Sequence, residues 1–338
     1  MTPLLLGLSA YAAAAAVLAP RLMRAYRSWQ RAAPRLGLVL WTALPLSWIV
    51  AVLSVGLAAT ARLSGGLGLA GLLHACLRAV EVVLGVHSPA DAPAALALLG
   101  SLTFLLRLGT IAARQAACDR RHRRAHRRRV CEPSRTVHRD GQRISVVDSP
   151  APAAYCAPGR RASIVLTTGA LERLSPRELD AVIAHEQAHQ RGRHHLCVSW
   201  AAALARAFPF VPLLRSAPHE IARIVEWLAD DHAGKQCGRQ PVARALAAMA
   251  TSTTPTSRPA SVLTATGSDV LDRVRRLLEP PANAGRARWP ITAVIALPVL
   301  VLAAAAAVLI PAATADPAPL CQGRQPSHAP TGSQRTGT

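Results

Sequence analysis

Aromatic and charged residues are scarce in this chain of 338 residues. Aromatic residues make up 4% and charged residues 17%, whereas hydrophobic residues make up 51%. The high apolar share excludes a disordered chain. The low charged share is atypical of a soluble domain, in which about a quarter of the residues are charged. Both values are typical of a membrane protein.

Acidic residues are also few, 18 against 39 Lys and Arg, so the formal net charge is +21. Such an excess can indicate a nucleic-acid partner. Here, however, thirteen of the arginines lie in two clusters that each follow an apolar run directly, as the positive-inside rule predicts. The second cluster has no aromatic side chain for base stacking, so we expect anionic lipid headgroups as its partner and no nucleic acid. The clusters are Arg21, Arg24, Arg27, Arg31 and Arg35, and Arg114, Arg120, Arg121, Arg123, Arg124, Arg127, Arg128 and Arg129.

Four apolar segments are long enough to cross a bilayer, which takes about 20 helical residues. They are residues 4–20, 36–60, 92–113 and 291–310. Because the arginine clusters mark the cytosolic side of a bacterial cell membrane, we expect both termini outside and an uncleaved first span. The predicted organisation is three spans in 1–113, a cytosolic domain in 114–288, a fourth span in 289–313 and a short disordered external tail in 314–338.

The chain has seven cysteines but no Cys-x-x-Cys pair. Five of them lie in the segment assigned to the reducing cytosol, so no disulfide framework is expected. Cys76 and Cys321 both fall in segments assigned to the outside. A disulfide between these two is a hypothesis that non-reducing mass mapping would test.

The central domain begins with recognisable local signals. Residues 163–168 are mostly β-branched and predict a strand. This strand is either an ordinary core strand or one that pairs with an extended peptide substrate. Ser175, followed by Pro176 and Glu178, predicts a capping box at the start of a helix.

That helix contains His185-Glu186-Gln187-Ala188-His189. Two imidazoles four residues apart lie on one helical face, where both can bind one zinc ion, and the glutamate lies beside the open coordination position of the metal. The motif therefore predicts His185 and His189 as zinc ligands and Glu186 as the catalytic base.

A third protein ligand is needed, and two residues are candidates. His195 completes the longer pattern His-Glu-x-x-His-x-x-Gly-x-x-His. Glu226 lies on a helix expected to begin after Pro218, where Asp230 follows one turn later and can accept a hydrogen bond from a ligand imidazole. We prefer Glu226, because the three-histidine class also needs a methionine turn and Met249 lies in a helical run.

The segment between the two motifs, residues 196–214, is apolar enough to suggest another span. A crossing there would place His185 and Glu226 on opposite sides of the membrane. We therefore expect a buried or membrane-leaning hairpin, and we expect His194 and His232 to be surface histidines.

Taken in order, the chain resembles the BlaR/MecR-type integral membrane metallopeptidases, which are antirepressors and sensor-transducers. The resemblance covers about residues 1–313. It depends on the three spans, the Arg-rich entry, Ala-Tyr-Cys-x-Pro-Gly at 154–159, His-Glu-x-x-His, Glu-x-x-Ala-Asp and the last span. It implies a multi-span α-helical membrane protein with a cytosolic, mainly helical α+β domain of the gluzincin type. It also implies zinc held by His185, His189 and Glu226, with Glu186 as the base.

Two further points follow from the resemblance. Arg273 begins a stretch similar to Arg-Ile-x-x-Leu of related membrane peptidases, which implies a contact to substrate or oxyanion; the alternative is a solvated helix face. Only about 25 residues follow the last span. The penicillin-binding sensor domain of the family is therefore not expected here, nor is β-lactam sensing.

The sequence thus predicts a membrane-embedded zinc metalloendopeptidase in signal transduction, with a cytosolic or membrane regulatory protein, such as a DNA-binding repressor, as substrate. In the expected mechanism zinc polarises the scissile carbonyl and lowers the pKa of its bound water, and Glu186 takes the proton. Two alternatives stay open. They are a housekeeping peptidase for membrane-protein quality control and a catalytically silent signalling scaffold.

Overall fold

The computed structural model describes residues 2–25, 27–64, 69–86, 88–130, 135–139, 142–157, 163–250 and 267–279. The predicted fourth span, the tail and Cys321 lie outside these residues. The helices are α1 (Thr2–Ala25), α2 (Arg27–Ala32), α3 (Pro34–Ser64), α4 (Leu69–Val83), α5 (Ala92–Val130), α6 (Thr168–Arg173), α7 (Pro176–Arg191), α8 (His194–Ala207), α9 (Pro212–Cys237), α10 (Arg239–Ala250) and α11 (Gly267–Leu278). The strands are β1 (Arg135–Arg139), β2 (Gln142–Val147), β3 (Ala154–Ala157) and β4 (Ser163–Thr167).

Three helices of the described chain are long and apolar enough to cross a membrane, over Leu6–Ala25, Pro34–Leu63 and Ala92–Cys118. The helices to which these segments belong, α1, α3 and α5, contain the three spans predicted at 4–20, 36–60 and 92–113. The third helix does not stop where its apolar run ends. Because arginine and alanine favour helix, α5 continues through the second arginine cluster to Val130.

The loop between the second and third spans contains α4. Small residues on one face of this helix, Ala75 and Ala79, are fully buried in a cluster with Ala59 of α3 and Ala95 of α5. The opposite face exposes leucine and valine side chains, among them Leu73, Leu77 and Val80. This loop is therefore a helix packed along two spans.

The segment predicted to be a hairpin forms α8, a short turn and α9. The second helix begins at Pro212 and contains Pro218, so the prediction that it begins after Pro218 was wrong. A proline inside a helix removes one backbone hydrogen bond. Here the lost bond is offset by packing, since Leu213, Leu214, Ala217 and Ile221 on the same helix are fully buried.

The hairpin turn packs between the spans. Phe208 stacks on Phe104 with ring centroids 4.4 Å apart, and Trp48 lies 6.1 Å from Phe208. Trp48 is midway along the span of α3, and Phe104 is midway along the span of α5. The turn between α8 and α9 therefore lies level with the middle of these two spans.

Arg107 explains how a span accommodates a charged side chain at this depth. Its Nε atom donates a hydrogen bond to the carbonyl oxygen of Ala207, the last residue of α8. The last carbonyl groups of a helix have no partner within the helix. Arg107 therefore caps the C-terminal end of α8.

The strands form one sheet in the order β1-β2-β4-β3. β4 pairs in parallel with β2 and antiparallel with β3. The strand predicted at 163–168 is confirmed, but both of its edges are occupied, so the hypothesis that it pairs with a substrate was wrong. Among the described strands, β3 is the one at the edge of the sheet beside α7.

The sheet supports α7 through a small apolar core. Ile164 and Leu166 of β4 are buried against Val182 and Ile183 of α7. The side chain of Thr167 accepts a hydrogen bond from the backbone N–H of Ala170 and so caps α6. The sheet and α6 thereby hold α7 in place.

Candidate metal centre

The helix with the His-Glu-x-x-His motif begins at the predicted capping box. The backbone N–H of Ser175 donates to Oε2 of Glu178 at 2.9 Å, and its hydroxyl donates to the same oxygen at 2.8 Å. Pro176 occupies the first turn of α7, where its missing N–H costs nothing. These contacts define where α7 begins. They thereby determine which face of the helix the two histidines occupy.

Three side chains from two helices converge on one point. Nε2 of His185 lies 3.1 Å from Nε2 of His189. Oε2 of Glu226 lies 3.4 Å from Nε2 of His185, and Oε1 of Glu226 lies 3.4 Å from Nε2 of His189. All three ligand atoms lie within 4.8 Å of one another. Ligand atoms around a tetrahedral zinc ion lie roughly 3.3 Å apart, because zinc–nitrogen and zinc–oxygen bonds are about 2.0–2.2 Å long. This donor set fits zinc.

His195, the alternative third ligand, is not part of this group among the described residues. It lies in the first turn of α8 with an exposed side chain. Glu226 reaches the histidines because α9 packs closely against α7. Ala233 of α9 is buried with Ala181 and Ala184 of α7, and side chains this small let the two helix backbones approach.

Two buried residues surround the donor set. Asp230 Oδ1 lies 3.1 Å from Nδ1 of His185, the position expected of a group that orients a ligand imidazole. Arg273 of α11 donates from Nε and Nη2 to the two oxygens of Asp230 at 2.8 and 2.7 Å. Its Nη1 lies 2.8 Å from Oε2 of Glu226. The guanidinium therefore faces the two carboxylates of the metal centre, whereas the sequence implied a contact to substrate or oxyanion.

The electrostatics of the centre follow from burial and from these pairs. Burial disfavours the charged form of His185, but Asp230 and Glu226 outweigh it and raise its pKa to about 10. Burial lowers the pKa of His189 to about 4. Burial also raises the pKa of Glu186 above its usual value, which makes this carboxylate a better proton acceptor. Burial would also raise the pKa of Glu226, but the positive charge of Arg273 outweighs burial, so the pKa of Glu226 is lowered.

His194 was predicted to be a surface histidine, and this was wrong. Its side chain is buried, and its Nδ1 lies 3.0 Å from Nδ1 of His189. The turn before it makes this contact possible. Arg193 adopts a left-handed backbone conformation with φ 47°, and a side chain at Gly192 would clash with the ring of His194. Gly192 could have indicated this turn from the sequence. The longer histidine pattern instead used Gly192 to predict His195 as a zinc ligand.

The edge strand β3 lies beside the glutamate of the motif. The thiol of Cys156 donates to the carbonyl oxygen of Glu186 at 2.9 Å. Burial, followed by the charge of Glu186, raises the pKa of this thiol, so Cys156 is uncharged. The β3 edge of the described sheet and the Glu186 side of α7 therefore belong to one site.

Comparison with known proteins is consistent with this geometry. Residues 119–280 match the model of peptidase family M48. Over 72 residues the chain is 38% identical to a protease HtpX homolog from Moorella thermoacetica; this match covers 20% of the chain and 24% of that relative. The chain thus spans about a quarter of the length of this relative. No solved structure matches.

The comparisons support a membrane-associated metallopeptidase and not specifically the BlaR/MecR type that the sequence resembles. The matched segment contains the whole of the donor set together with Asp230 and Arg273. The segment that carries the candidate metal centre is therefore similar to peptidase family M48.

Proposed function

We propose that this protein is a membrane-embedded zinc endopeptidase with Glu186 as its catalytic base and His185, His189 and Glu226 as its zinc ligands. The observation that carries the proposal is the convergence of these three ligand atoms beside the motif glutamate. Supporting observations are the orienting contact of Asp230 with His185 and the similarity of the segment to an M48 peptidase.

Each residue has a distinct task in this reaction. When bound, zinc supplies Lewis-acid polarisation of the scissile carbonyl and a water of lowered pKa. Glu186 would accept a proton from the attacking water at its carboxylate and deliver it to the leaving amine as the peptide C–N bond breaks. Asp230 holds His185 in one ring orientation. Arg273 holds Asp230 and Glu226 at fixed positions and keeps both carboxylates charged.

The substrate is proposed to bind as an extended strand along β3. This strand is the edge of the sheet nearest to α7, and Cys156 places it beside Glu186. An edge strand reads a peptide through backbone hydrogen bonds, so it demands little of the peptide's sequence. The substrate class is therefore a protein segment that is extended, or that becomes extended, near the membrane.

The proposed topology keeps the orientation expected from the arginine clusters, with the N-terminus outside and the peptidase domain cytosolic. The proposed domain organisation is likewise three spans in 1–113, the peptidase domain in 114–288, a fourth span in 289–313 and an external tail. Contacts of Phe208 with Trp48 and Phe104 favour a hairpin turn inserted to mid-bilayer depth. A cysteine at Ser88 should react with an impermeant maleimide in intact cells, whereas one at Arg173 should react only after lysis.

Two classes of substrate fit this site. One is a cytosolic or membrane regulatory protein, such as a DNA-binding repressor, as the BlaR/MecR resemblance implies. The other is a set of damaged or unassembled membrane proteins handled by a housekeeping peptidase. The hairpin inserted among the spans favours substrates at the membrane surface, a property that both classes share.

The deciding experiment compares new protein N-termini in cells that express the wild type, Glu186→Gln or Glu226→Gln at equal levels. Glu186→Gln should retain zinc and lose cleavage, whereas Glu226→Gln should lose zinc as well. A single abundant terminus from a regulator would indicate signalling, and many termini from membrane proteins would indicate housekeeping. Identical termini in all three strains, with zinc bound to the wild type, would contradict the proposal and leave the signalling scaffold.

A further inference from the structure

The arginines that follow the first span line a cavity that the proposed peptidase reaction does not use. The cavity has a volume of about 430 Å³ and lies between the C-terminal end of α1, the short helix α2 and the first turns of α9. It is lined by Arg24, Arg27, Arg215, Ser216, His219 and Glu220. Three guanidinium groups thus face one space.

The positive charge in this cavity exceeds what its single carboxylate neutralises. Glu220 is buried, with 1% of its surface exposed. Arg27 donates to its Oε1 at 2.6 Å and Arg24 lies 3.7 Å from the same oxygen. Outside the cavity, Arg223 pairs with its other oxygen. One negative charge therefore has three positive neighbours.

The cavity also contains donors that have no protein partner. Arg24 and Arg27 keep 50% and 44% of their side-chain surface exposed. Arg215 and His219 are exposed as well, and neither side chain has a hydrogen-bond or ion-pair partner among the described residues. An anion that enters the cavity can accept hydrogen bonds from several of these groups without displacing an existing pair.

The position of the cavity selects the kind of anion. Arg24 lies in the last turn of the apolar helix Leu6–Ala25, so the cavity is at the level where the hydrocarbon core ends and phospholipid phosphates begin. Arg215 lies between Glu220 and the hairpin turn, which packs against the middle of the spans. The guanidinium groups therefore extend from the headgroup level toward the acyl chains.

We propose that this cavity binds a phosphate group, supplied by an anionic phospholipid such as phosphatidylglycerol. The geometry suits a phosphodiester, because guanidinium groups bind phosphate oxygens through paired hydrogen bonds. A bound headgroup connects the end of α1 to α9, the helix that carries Glu226. The proposal does not depend on peptidase activity, because its measured quantity is lipid binding.

The test titrates the full-length protein in detergent with short-chain phosphatidylglycerol, short-chain phosphatidylcholine or inorganic phosphate, and native mass spectrometry counts the adducts. Phosphatidylglycerol should bind more tightly than phosphatidylcholine. Arg215→Gln should weaken its binding about fivefold, since each surface arginine contributes about that factor to anionic-lipid attraction. Arg215→Lys should retain most of the binding. These variants leave the contacts of Glu220 intact, so misfolding is not expected.

Arg35→Gln is the matched control, because it also removes one positive charge, from the arginine cluster that supplies Arg24 and Arg27, but Arg35 does not line the cavity. It should bind phosphatidylglycerol like the wild type. Binding of inorganic phosphate that depends on Arg215, with no preference between the two lipids, would overturn the lipid as the source. Equal lipid binding by Arg215→Gln and Arg35→Gln would overturn the site itself. Loss of peptidase activity in Glu186→Gln should leave every one of these values unchanged.

Discussion

Nδ1 of His194 lies 3.0 Å from Nδ1 of His189, on the side of the ring opposite to the nitrogen that faces Glu226. Burial lowers the pKa of His194 to about 4, so its ring is neutral at pH 7 and can accept a hydrogen bond. A histidine that binds metal through Nε2 carries its proton on Nδ1. His194 is therefore placed to orient His189 as Asp230 orients His185.

The first prediction concerns this contact. His194→Ala should lower zinc affinity about 10- to 100-fold, the usual effect of removing a group that orients a ligand imidazole. Competition with a fluorescent zinc chelator measures the affinity. The control is His195→Ala, next to it on the exposed side of α8, which should bind zinc like the wild type. Loss of zinc in the control, with normal binding by Glu226→Gln, would assign the third ligand to His195.

The second prediction separates two roles of Arg273. If it positions Glu226 and Asp230, Arg273→Lys should lower zinc affinity about tenfold or more, because an ammonium group cannot form the paired hydrogen bonds to Asp230 while reaching Glu226. If it instead contacts substrate, kcat/KM should fall while zinc affinity stays unchanged. Arg275→Ala, an exposed position on the same helix, should change neither quantity.

The third prediction concerns the cap on the hairpin. Arg107→Gln should destabilise the protein by about 1–3 kcal/mol, because the carbonyl of Ala207 loses its charged donor inside the helix bundle. The midpoint of thermal unfolding in detergent measures this effect. Arg114→Gln removes an exposed arginine from the same helix and should leave the midpoint within error. An unchanged midpoint in Arg107→Gln would show that the hydrogen bond contributes nothing to stability.

The fourth prediction concerns the start of α7. Glu178→Ala removes both capping-box contacts and should destabilise the protein by about 0.5–1.5 kcal/mol at pH 7. Hydrogen bonds from Ser175 lower the pKa of Glu178 below its usual 4.5. A lowered pKa stabilises the folded state above the unfolded-state pKa, and this stabilisation is lost as pH falls through the lowered value. The difference between wild type and variant should therefore shrink below about pH 4.5.

Glu172→Ala serves as the comparison for this pH series. Glu172 is exposed on α6. The stability of Glu172→Ala should equal that of the wild type at every pH of the series. A wild-type advantage over Glu178→Ala that persisted unchanged at low pH would mean that the capping contacts do not depend on the charge of Glu178.

Local sequence patterns predicted much of the candidate site. The spacing of His185 and His189 places both rings on one helical face, and Ser175 with Glu178 marks where that helix begins. These features depend on residues within a few turns of one another, so periodicity and capping chemistry suffice to predict them. The three N-terminal spans were predictable for a similar reason, because about 20 apolar residues in succession have few alternatives to a membrane helix.

Other assignments needed the packing of distant segments. Which of β3 and β4 lies at the edge of the described sheet depends on how the strands pair, and local pattern does not specify this pairing. Pro218 indicated a helix start, because proline is favoured in the first turn of a helix. Burial of Leu213 and Leu214 among the spans instead favours a helix that begins at Pro212 and continues through Pro218. The resemblance implied a contact of Arg273 to substrate or oxyanion, but local pattern could not show that α11 places its guanidinium on Asp230, 43 positions earlier in the chain.

The amino-acid sequence alone thus determined the chemistry of this protein: apolar helices, a basic flank and a histidine pair with a glutamate between them. Which residues surround that pair depends on how the helices pack. The tertiary structure placed Glu226 with the histidines, buried His194 behind one of them, inserted the hairpin between the spans and gathered three arginines around one cavity. The reason is physical: a motif is a property of one helix, whereas a ligand set and a cavity exist only where several helices pack together.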